Sequence, residues 1–302
     1  MKTLTFGVEI ETVGQDRDTV ARVIADAIGG RKDRWQPHVT DRHGRLWKVV
    51  TDGSLTGTVN GEVVTPVLRY EDLPDLLKVV GALGAANTRV DQSCAIHIHV
   101  GTQHLRPEAL ANLIKMVHKQ ERLIEHALGV QERRLARYCR PINADLVRRI
   151  DRSRPRTAAA LNRAWYGRLN SHPERYDDSR YYGVNLNSHH YRGTTEFRFF
   201  EGTLDPEKVL AYVQFALSLV ATARDAKGAS SARRPFNPDT AKYDFRCFLL
   251  KLGFVGPEFK TARKHLLARL GGSAAWKGAR RDKRTRSSPA ARGAGEDGQA
   301  AA

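Results

Sequence analysis

Residues 4–12 read LTFGVEIET, and their apolar members alternate with polar or small ones. A period of two predicts a half-buried strand whose apolar side packs on a core. The other side carries Glu9 and Glu11, which lie about 7 Å apart along such a strand. Two carboxylates this close raise each other's pKa unless a cation lies between them, and their oxygens suit a hard ion such as Mg²⁺ or Mn²⁺. A solvated strand face with two surface glutamates would give the same pattern.

The composition is that of a globular protein with a substantial core. The chain has 302 residues, of which 41% are hydrophobic, so one large domain or two ordinary ones are expected. No apolar run approaches the ~20 residues that cross a bilayer, and acidic residues interrupt the N-terminal stretch too early for a signal peptide. Cys94, Cys139 and Cys247 are far apart and odd in number. They form no zinc or disulfide pattern, which predicts a reducing cytoplasm.

The positive charge of the chain is concentrated in two segments. The net charge is +17, and residues 131–180 alone hold 13 arginines against six acidic residues, while residues 271–302 are also basic. Such stretches favour phosphate-rich partners, including nucleotides and nucleic acid. An ordinary basic surface explains the charge equally well, and no nucleic-acid-binding motif accompanies it. Nucleic-acid binding is therefore possible but not favoured.

Periodicity divides the chain into helices and strands. Helical spacing predicts helices over residues 16–28, 73–83, 107–128, 143–151, 157–169, 205–226, 242–252 and 257–270. Alternation predicts further strands over residues 46–51, 61–67, 94–101, 181–187 and 194–201. Residues 31–44 and 170–180 are expected to be loops. The Gly-, Ala-, Ser-, Arg- and Lys-rich residues 271–302 are expected to form a disordered basic tail.

Four of the predicted strands have an unusual polar face. One side of each is apolar, and the other carries residues of metal-ligand type: Glu9 and Glu11, Glu62, His97 and His99, and Glu196 with Arg198. A sheet with one polar face is typical of antiparallel strands, so the fold class is α+β. H-x-H alone also occurs on ordinary surfaces, and E-x-R could be an ion pair worth under ~1 kcal/mol. Together, several carboxylates and imidazoles could hold divalent ions, and an arginine beside them suits a phosphoryl group.

The order of these motifs adds a family resemblance. FGVEIE, DGSL, GEVVTP, HIHVG and TEFRFFEGT follow one another in this sequence and resemble the putative amidoligase family over about residues 3–225. That family belongs to the carboxylate–amine ligase superfamily, which includes glutamine synthetase and glutamate–cysteine ligase. The resemblance implies a curved, mainly antiparallel sheet like the glutamine synthetase catalytic domain, with ATP and metals on the concave face and helices on the other. A single catalytic domain would span residues 1–270, with residues 131–180 as an arginine-rich helical insert.

The activity that the resemblance implies is ATP-dependent amide formation. ATP would phosphorylate a substrate carboxylate, and an amine would then attack the acyl phosphate. An amino acid, a peptide or a protein could supply either substrate. The charge of the insert predicts an acidic substrate, with Arg140, Arg148 and Arg149 as the first residues to change.

The resemblance also implies roles for single residues. Glu9, His97 and Glu196 would share one Mg²⁺ or Mn²⁺ beside the ATP phosphates. Glu11 and Glu62 would hold a second ion and act in catalysis.

The remaining implied roles concern the nucleotide and the substrate. Arg198 would stabilise the transferred phosphoryl group, and His99 would lie near the nucleotide. Asp52 and Ser54 match the D-x-S element, which would bind substrate or metal. Asn185 and Asn187 would orient the substrate.

Two other classes of divalent-metal enzyme, cupin-like enzymes and zinc hydrolases of the barrel type, fit the sequence less well. A cupin-like enzyme would place another histidine in the same barrel, whereas His104 and His118 fall in a predicted loop and helix. A zinc hydrolase of the barrel type would need H-x-H on its first strand. For the second metal, Glu62 has only Asp52 nearby in sequence, which is fewer acids than glutamine synthetase supplies.

Overall fold

The structure, a computed structural model, describes residues 1–277 and is organised around an antiparallel sheet. Its strands are β1 (Phe6–Val13), β2 (Arg31–Lys32), β3 (His38–Thr40), β4 (Leu46–Val50), β5 (Asn60–Val64), β6 (Ala95–Gly101), β7 (Val184–Asn185) and β8 (Thr194–Glu201). They lie in the order β2-β3-β4-β5-β1-β6-β8-β7, and every neighbouring pair is antiparallel. The predicted α+β class with an antiparallel sheet is confirmed. Within the described residues the sheet is open, so the closed-barrel alternatives do not fit.

Ten α-helices accompany the sheet in the described part of the chain. They are α1 (Arg17–Ile28), α2 (Leu73–Ala85), α3 (Pro107–Leu128), α4 (Glu132–Arg137), α5 (Ala144–Ser153), α6 (Ala158–Tyr166), α7 (Asn187–Arg192), α8 (Pro206–Asp225), α9 (Ala241–Lys251) and α10 (Lys260–Leu267). The ends of α1 show why the sequence pattern located them well. Asp16 accepts a hydrogen bond from the Thr19 backbone N–H, and Gly29 ends the helix with φ 61°. None of the described helices is both long and apolar enough to cross a membrane.

The core lies between the apolar face of the sheet and the long helices. Phe6, Val8 and Ile10 of β1 are fully buried there. Helix α8 contacts β6, α2, α3 and α10, and it is apolar on most of its faces because it is surrounded in this way. Phe215 of α8 packs its ring against those of Phe199, Phe245 and Phe254. This packing leaves the opposite face of the sheet free for polar chemistry.

The structure differs from the sequence prediction at the two ends of the sheet. Residues 31–44 contain the short strands β2 and β3, although a loop was expected there. The strand predicted over residues 181–187 is only the two-residue β7, because the Leu186 backbone is helical (φ −87°, ψ −7°) and leads into the unpredicted helix α7. Edge strands pair on one side only, so their length depends on tertiary contacts rather than on alternation.

The arginine-rich insert is helical only in part. It contains α4, which was not predicted, then the predicted α5 and α6. Its last residues form a loop that ends in a single 3₁₀ turn, Asp178–Tyr181. The predicted disordered tail falls mainly on residues 278–302, which lie outside the described residues. The single domain over residues 1–270 stays a prediction.

Candidate active site

Strand register brings the predicted site residues together on the polar face. Glu11 lies opposite Glu62 across β1 and β5, and Glu9 lies opposite His97 across β1 and β6. In the next row of the same face, His99 pairs with Glu196 across β6 and β8, and Glu196 pairs with Asn185 across β8 and β7. Directly opposed residues on one face of an antiparallel pair have Cβ atoms about 4.5–5.5 Å apart. Short motifs that are far apart in sequence thus form one continuous cluster.

A β-bulge in β8 directs Phe200 towards the core and keeps it off the face that carries Arg198. The register between β6 and β8 shifts between Ile96 and Ile98, so that Ile98 lies opposite Phe197 whereas Ile96 lies opposite Phe200. The extra residue in β8 lets both phenylalanines face the core although they are three positions apart. Phe200 stacks on Tyr212 of α8 with ring centroids 4.5 Å apart. Strict alternation would have put Phe200 on the same face as Arg198.

Glu9 lies at the centre of the cluster. One of its oxygens, Oε2, is 3.3 Å from His97 Nδ1, and the other, Oε1, is 3.1 Å from His99 Nε2. Both histidines also have a ring nitrogen 3.9 Å from Glu196 Oε1. Glu11 Oε1 lies 3.8 Å from His97 Nδ1, while its Oε2 accepts a 2.6 Å hydrogen bond from the Ala95 backbone N–H.

The donor atoms form two groups that a cation could join. Ligand atoms of Glu9, Glu62 and His97 lie within 4.8 Å of one another, and so do those of Glu9, His99 and Glu196. Such oxygen-rich sets with an imidazole suit Mg²⁺ or Mn²⁺. Glu9 belongs to both groups. The family resemblance implied that Glu196 shares an ion with His97 rather than with His99. Which histidine shares an ion with Glu196 remains a prediction.

The carboxyl pKa values show that the Glu62 side of the cluster, unlike the Glu196 side, lacks a compensating positive charge. Burial, followed by the charges of Glu9 and Glu11, raises the pKa of Glu62 to about 10. Burial also acts to raise the pKa of Glu196, but the Arg198 guanidinium and the two histidines outweigh it and lower the value to about 2. A proton on Glu62 therefore takes the place that a divalent cation would fill, so the residues fit the ion that the family resemblance implies.

Arg198 is held rigidly by the protein. Its guanidinium is bonded to the Glu196 carboxylate, and its Nε donates to the Tyr138 carbonyl at 3.0 Å. Arg134 of α4, also buried, donates to the backbone carbonyls of Arg198 and Phe200 at 2.6 and 2.7 Å. Strand β7 is too short to pair with β8 at these carbonyls. Arg134 therefore donates the hydrogen bonds that a longer β7 would have donated. No sequence signal distinguished Arg134 from the other arginines of the insert.

Arg192 of α7 is a second arginine that the sequence interpretation missed. Its Nη2 lies 2.9 Å from His99 Nε2 and 3.4 Å from Glu9 Oε1, and its Nε donates to Ser188 Oγ. The side chain is half-exposed. It reaches the cluster only because α7 turns back over the sheet, and that helix had no sequence signature.

The residues expected to bind substrate lie around the cluster. Asp52 and Ser54 follow β4, and the Asp52 carboxylate accepts the Ser54 backbone N–H at 2.7 Å. Asn185 donates to Glu196 Oε2 at 2.6 Å and accepts the Ser188 backbone N–H. Asn187 donates to the Glu174 carbonyl at 3.0 Å. Both asparagines thus help to hold the site together, and their contact with substrate remains a prediction.

A cavity of about 610 Å³ joins these residues. The predicted residues that line it are Glu9, Glu11, Asp52, Ser54, Glu62, His97, Asn185, Asn187, Glu196 and Arg198. His99 instead lines an adjoining cavity of about 270 Å³ together with Glu9, Pro66 and Val67.

The arginines first suspected of binding substrate are outside both cavities. Arg140 and Arg148 pair with Asp178 and Asp145, and Arg149 donates to backbone carbonyls at the end of α6. These side chains bond within the insert, and their part in substrate binding stays a prediction. Arg175 and Arg180 of the same insert do line the larger cavity.

An open antiparallel sheet that carries an acid–imidazole cluster beside a buried arginine offers ligands for divalent ions and for anionic groups. A family model described as "Putative amidoligase enzyme" matches residues 2–220. The chain therefore belongs to the putative amidoligase family and is an enzyme of the ligase type, for which carboxylate and amine substrates are implied. No protein of curated function matches the chain. The matched segment contains every site residue named above.

Proposed function

We propose that the protein is an ATP-dependent carboxylate–amine ligase that forms an amide through an acyl phosphate. The observation that carries this proposal is the meeting of Glu9, Glu196, both histidines and Arg198 on one sheet face. Divalent-ion ligands beside a fixed arginine match the needs of phosphoryl transfer. In the same proposal, the sheet corresponds to that of the glutamine synthetase catalytic domain.

The cluster would hold the ions. Glu9, Glu62 and His97 would form one ligand set, and Glu9, His99 and Glu196 the other, with Glu11 beside the first. Mg²⁺ or Mn²⁺ held there supplies positive charge that lets the phosphate oxygens of ATP approach a carboxylate-rich surface.

Arg198 would orient the transferred phosphoryl group. A guanidinium has five N–H donors, and the contacts described above use the Nε and one Nη1 donor. The remaining donors can bind phosphate oxygens, and the guanidinium stays charged throughout. Because Glu196, Tyr138 and Arg134 fix its position, little reorganisation is needed as charge develops.

Glu11 and Glu62 would act on the amine. Their carboxylates lie on neighbouring strands at the acidic end of the cluster and would attract an ammonium group. One of them would take its proton, the amine nitrogen would form the new bond to the acyl carbon, and phosphate would leave. Asp52 and Ser54 would contact the substrate at the mouth of the cavity.

We further propose that the enzyme works in the cytoplasm. All three cysteines are unpaired, and Cys94 and Cys139 are buried. Burial raises the pKa of the Cys94 thiol to about 11 and that of Cys139 to about 12, so both are unreactive.

The test is the release of ADP and phosphate from ATP with Mg²⁺ in mixtures of carboxylates and amines. We expect release that needs both substrates and that Glu196→Gln and Glu9→Gln abolish. Glu71→Gln, at an exposed acid that lies outside the motifs and lines neither cavity, is the matched control and should be active. Failure to bind Mg²⁺–ATP and to form ADP in any mixture would contradict the proposal.

A further inference from the structure

Charge is segregated within the larger cavity. Its floor consists of the carboxylates of the sheet, whereas its mouth carries the cations Lys48, Arg175, Arg180 and Arg192. Lys48 projects from β4, and Arg175 and Arg180 belong to the last loop of the insert. A ligand that enters the cavity therefore meets positive charge first.

One wall of the cavity is a ladder of alternating guanidinium groups and tyrosine rings. Arg198 lies 5.9 Å from the centre of the Tyr181 ring, and Arg180 lies 5.5 Å from that same ring. Arg180 and Arg175 lie 5.1 and 5.4 Å from the Tyr176 ring. Each distance is within the range of a cation–π contact. Exposure increases along the ladder, from 6% at Arg198 to 73% at Tyr176, its outermost ring.

The two outer arginines of the ladder have no carboxylate partner among the described residues, although acids lie beside them in sequence. The Asp177 carboxylate accepts the N–H and O–H of Ser179, and Asp178 pairs with Arg140. Arg175 and Arg180 take part in no ion pair in the described part of the chain. Their stacking on Tyr176 instead keeps both guanidinium groups at the cavity surface.

The number and spacing of the guanidinium groups distinguish among anionic substrates. Four successive contacts of 5–6 Å connect Arg198 with Arg175, and they set an upper limit to the separation of these two residues. An extended peptide advances about 3.3 Å per residue, so up to roughly six residues fit along this path. A free amino acid carries at most two carboxylates, whereas an acidic peptide can offer one to each of Arg175, Arg180 and Arg198.

Resting on the proposed ligase function, we propose that the wall from Tyr176 to Arg198 binds an acidic peptide that carries the substrate carboxylate. Glutamate or aspartate side chains of the peptide pair with Arg175 and Arg180, and the tyrosine rings contact the peptide between these side chains. One carboxylate reaches the floor beside Arg198. A peptide is favoured over nucleic acid because the ligase reaction requires a carboxylate.

The experiment measures peptide binding by fluorescence anisotropy without ATP or metal. The probe is a fluorescein-labelled peptide of alternating Glu and Ala, compared with the same peptide containing Gln in place of Glu. The double variant Arg175→Glu, Arg180→Glu is compared with Arg152→Glu, Arg156→Glu, which has the same charge change at exposed arginines of the insert outside the cavity. Thermal unfolding checks that each variant is folded.

We expect the Glu peptide to bind more tightly than the Gln peptide and the wall variant to weaken its binding about tenfold or more. The control variant should retain the affinity of the parent, and the milder pair Arg175→Gln, Arg180→Gln should lie between. Equal loss in both charge-reversal variants, or equal binding of the two peptides, would overturn the inference. So would tighter, equally wall-dependent binding of a single-stranded oligonucleotide.

This assay separates the inference from the proposed function. ADP formation from small substrates without peptide binding would refute the peptide site alone. If the peptide binds at the wall but no mixture, including one that contains the peptide, forms ADP, the ligase proposal is refuted and the peptide-binding site is supported.

Discussion

Replacing Glu62 by Gln should stabilise the protein in the absence of metal. Burial and the charges of Glu9 and Glu11 raise the pKa of the Glu62 carboxyl to about 10, whereas a glutamate in the unfolded chain has a pKa of about 4.3. Between these values the folded protein keeps a proton that the unfolded chain releases. Stability therefore decreases as the pH rises through this window.

The size of the effect follows from the difference in proton affinity. Each pH unit above the unfolded pKa costs about 1.4 kcal/mol, so the penalty at about pH 7 is about 3.7 kcal/mol. Glutamine has the shape of the protonated carboxyl and no proton to lose. Glu62→Gln should then be more stable by up to about 3 kcal/mol and should show a flatter pH dependence.

The assay is urea denaturation with EDTA at several pH values between about 6 and 8. Glu71→Gln serves as the control, since loss of an exposed acid should change stability by about 0.5 kcal/mol or less. Addition of Mg²⁺ should stabilise the parent more than Glu62→Gln. A variant no more stable than the parent, with an unchanged pH slope, would refute the account of the cluster.

Three further predictions concern the arginines and the tail. Arg134→Met leaves the carbonyls of Arg198 and Phe200 without their donors and should destabilise the protein by about 2–4 kcal/mol in urea denaturation; an unchanged midpoint would contradict this packing role. Arg198→Lys should lower ADP formation about a hundredfold or more, because the lysine ammonium cannot reproduce the planar, fixed donors of the guanidinium. Activity near that of the parent would exclude the role of Arg198 in orienting the phosphoryl group. Truncation after Leu270 should leave ATP turnover intact, and turnover lost in a folded product would show that the tail contributes to it.

The central strands could be predicted because their signal is local. Residues 4–12 and 94–101 alternate strictly, and the side of each strand that carries the acids or histidines follows from that alternation alone. Both strands pair on both sides in the middle of the sheet, where hydrophobic burial fixes the register. The alternation of these strands therefore suffices to predict which of their acids and histidines share a face.

The rest depended on tertiary contacts that have no local period. The bulge in β8 arises from its pairing with β6, and Arg192 reaches the cluster through α7, a helix that was not predicted. The insert shows the same limit. Charge indicated that it would bind an acidic ligand, but it could not separate Arg149, which bonds to carbonyls of α6, from Arg180, which stacks at the cavity.

The most direct test of the ligase claim follows oxygen from substrate to product. Carboxylate substrates labelled with ¹⁸O are incubated with the enzyme, Mg²⁺, ATP and amines, and the phosphate products are identified by ³¹P NMR. Formation of an acyl phosphate predicts ADP and inorganic phosphate that contains one ¹⁸O atom from the carboxylate, in amounts equal to the amide. AMP with pyrophosphate, or phosphate without the label, would contradict the claim.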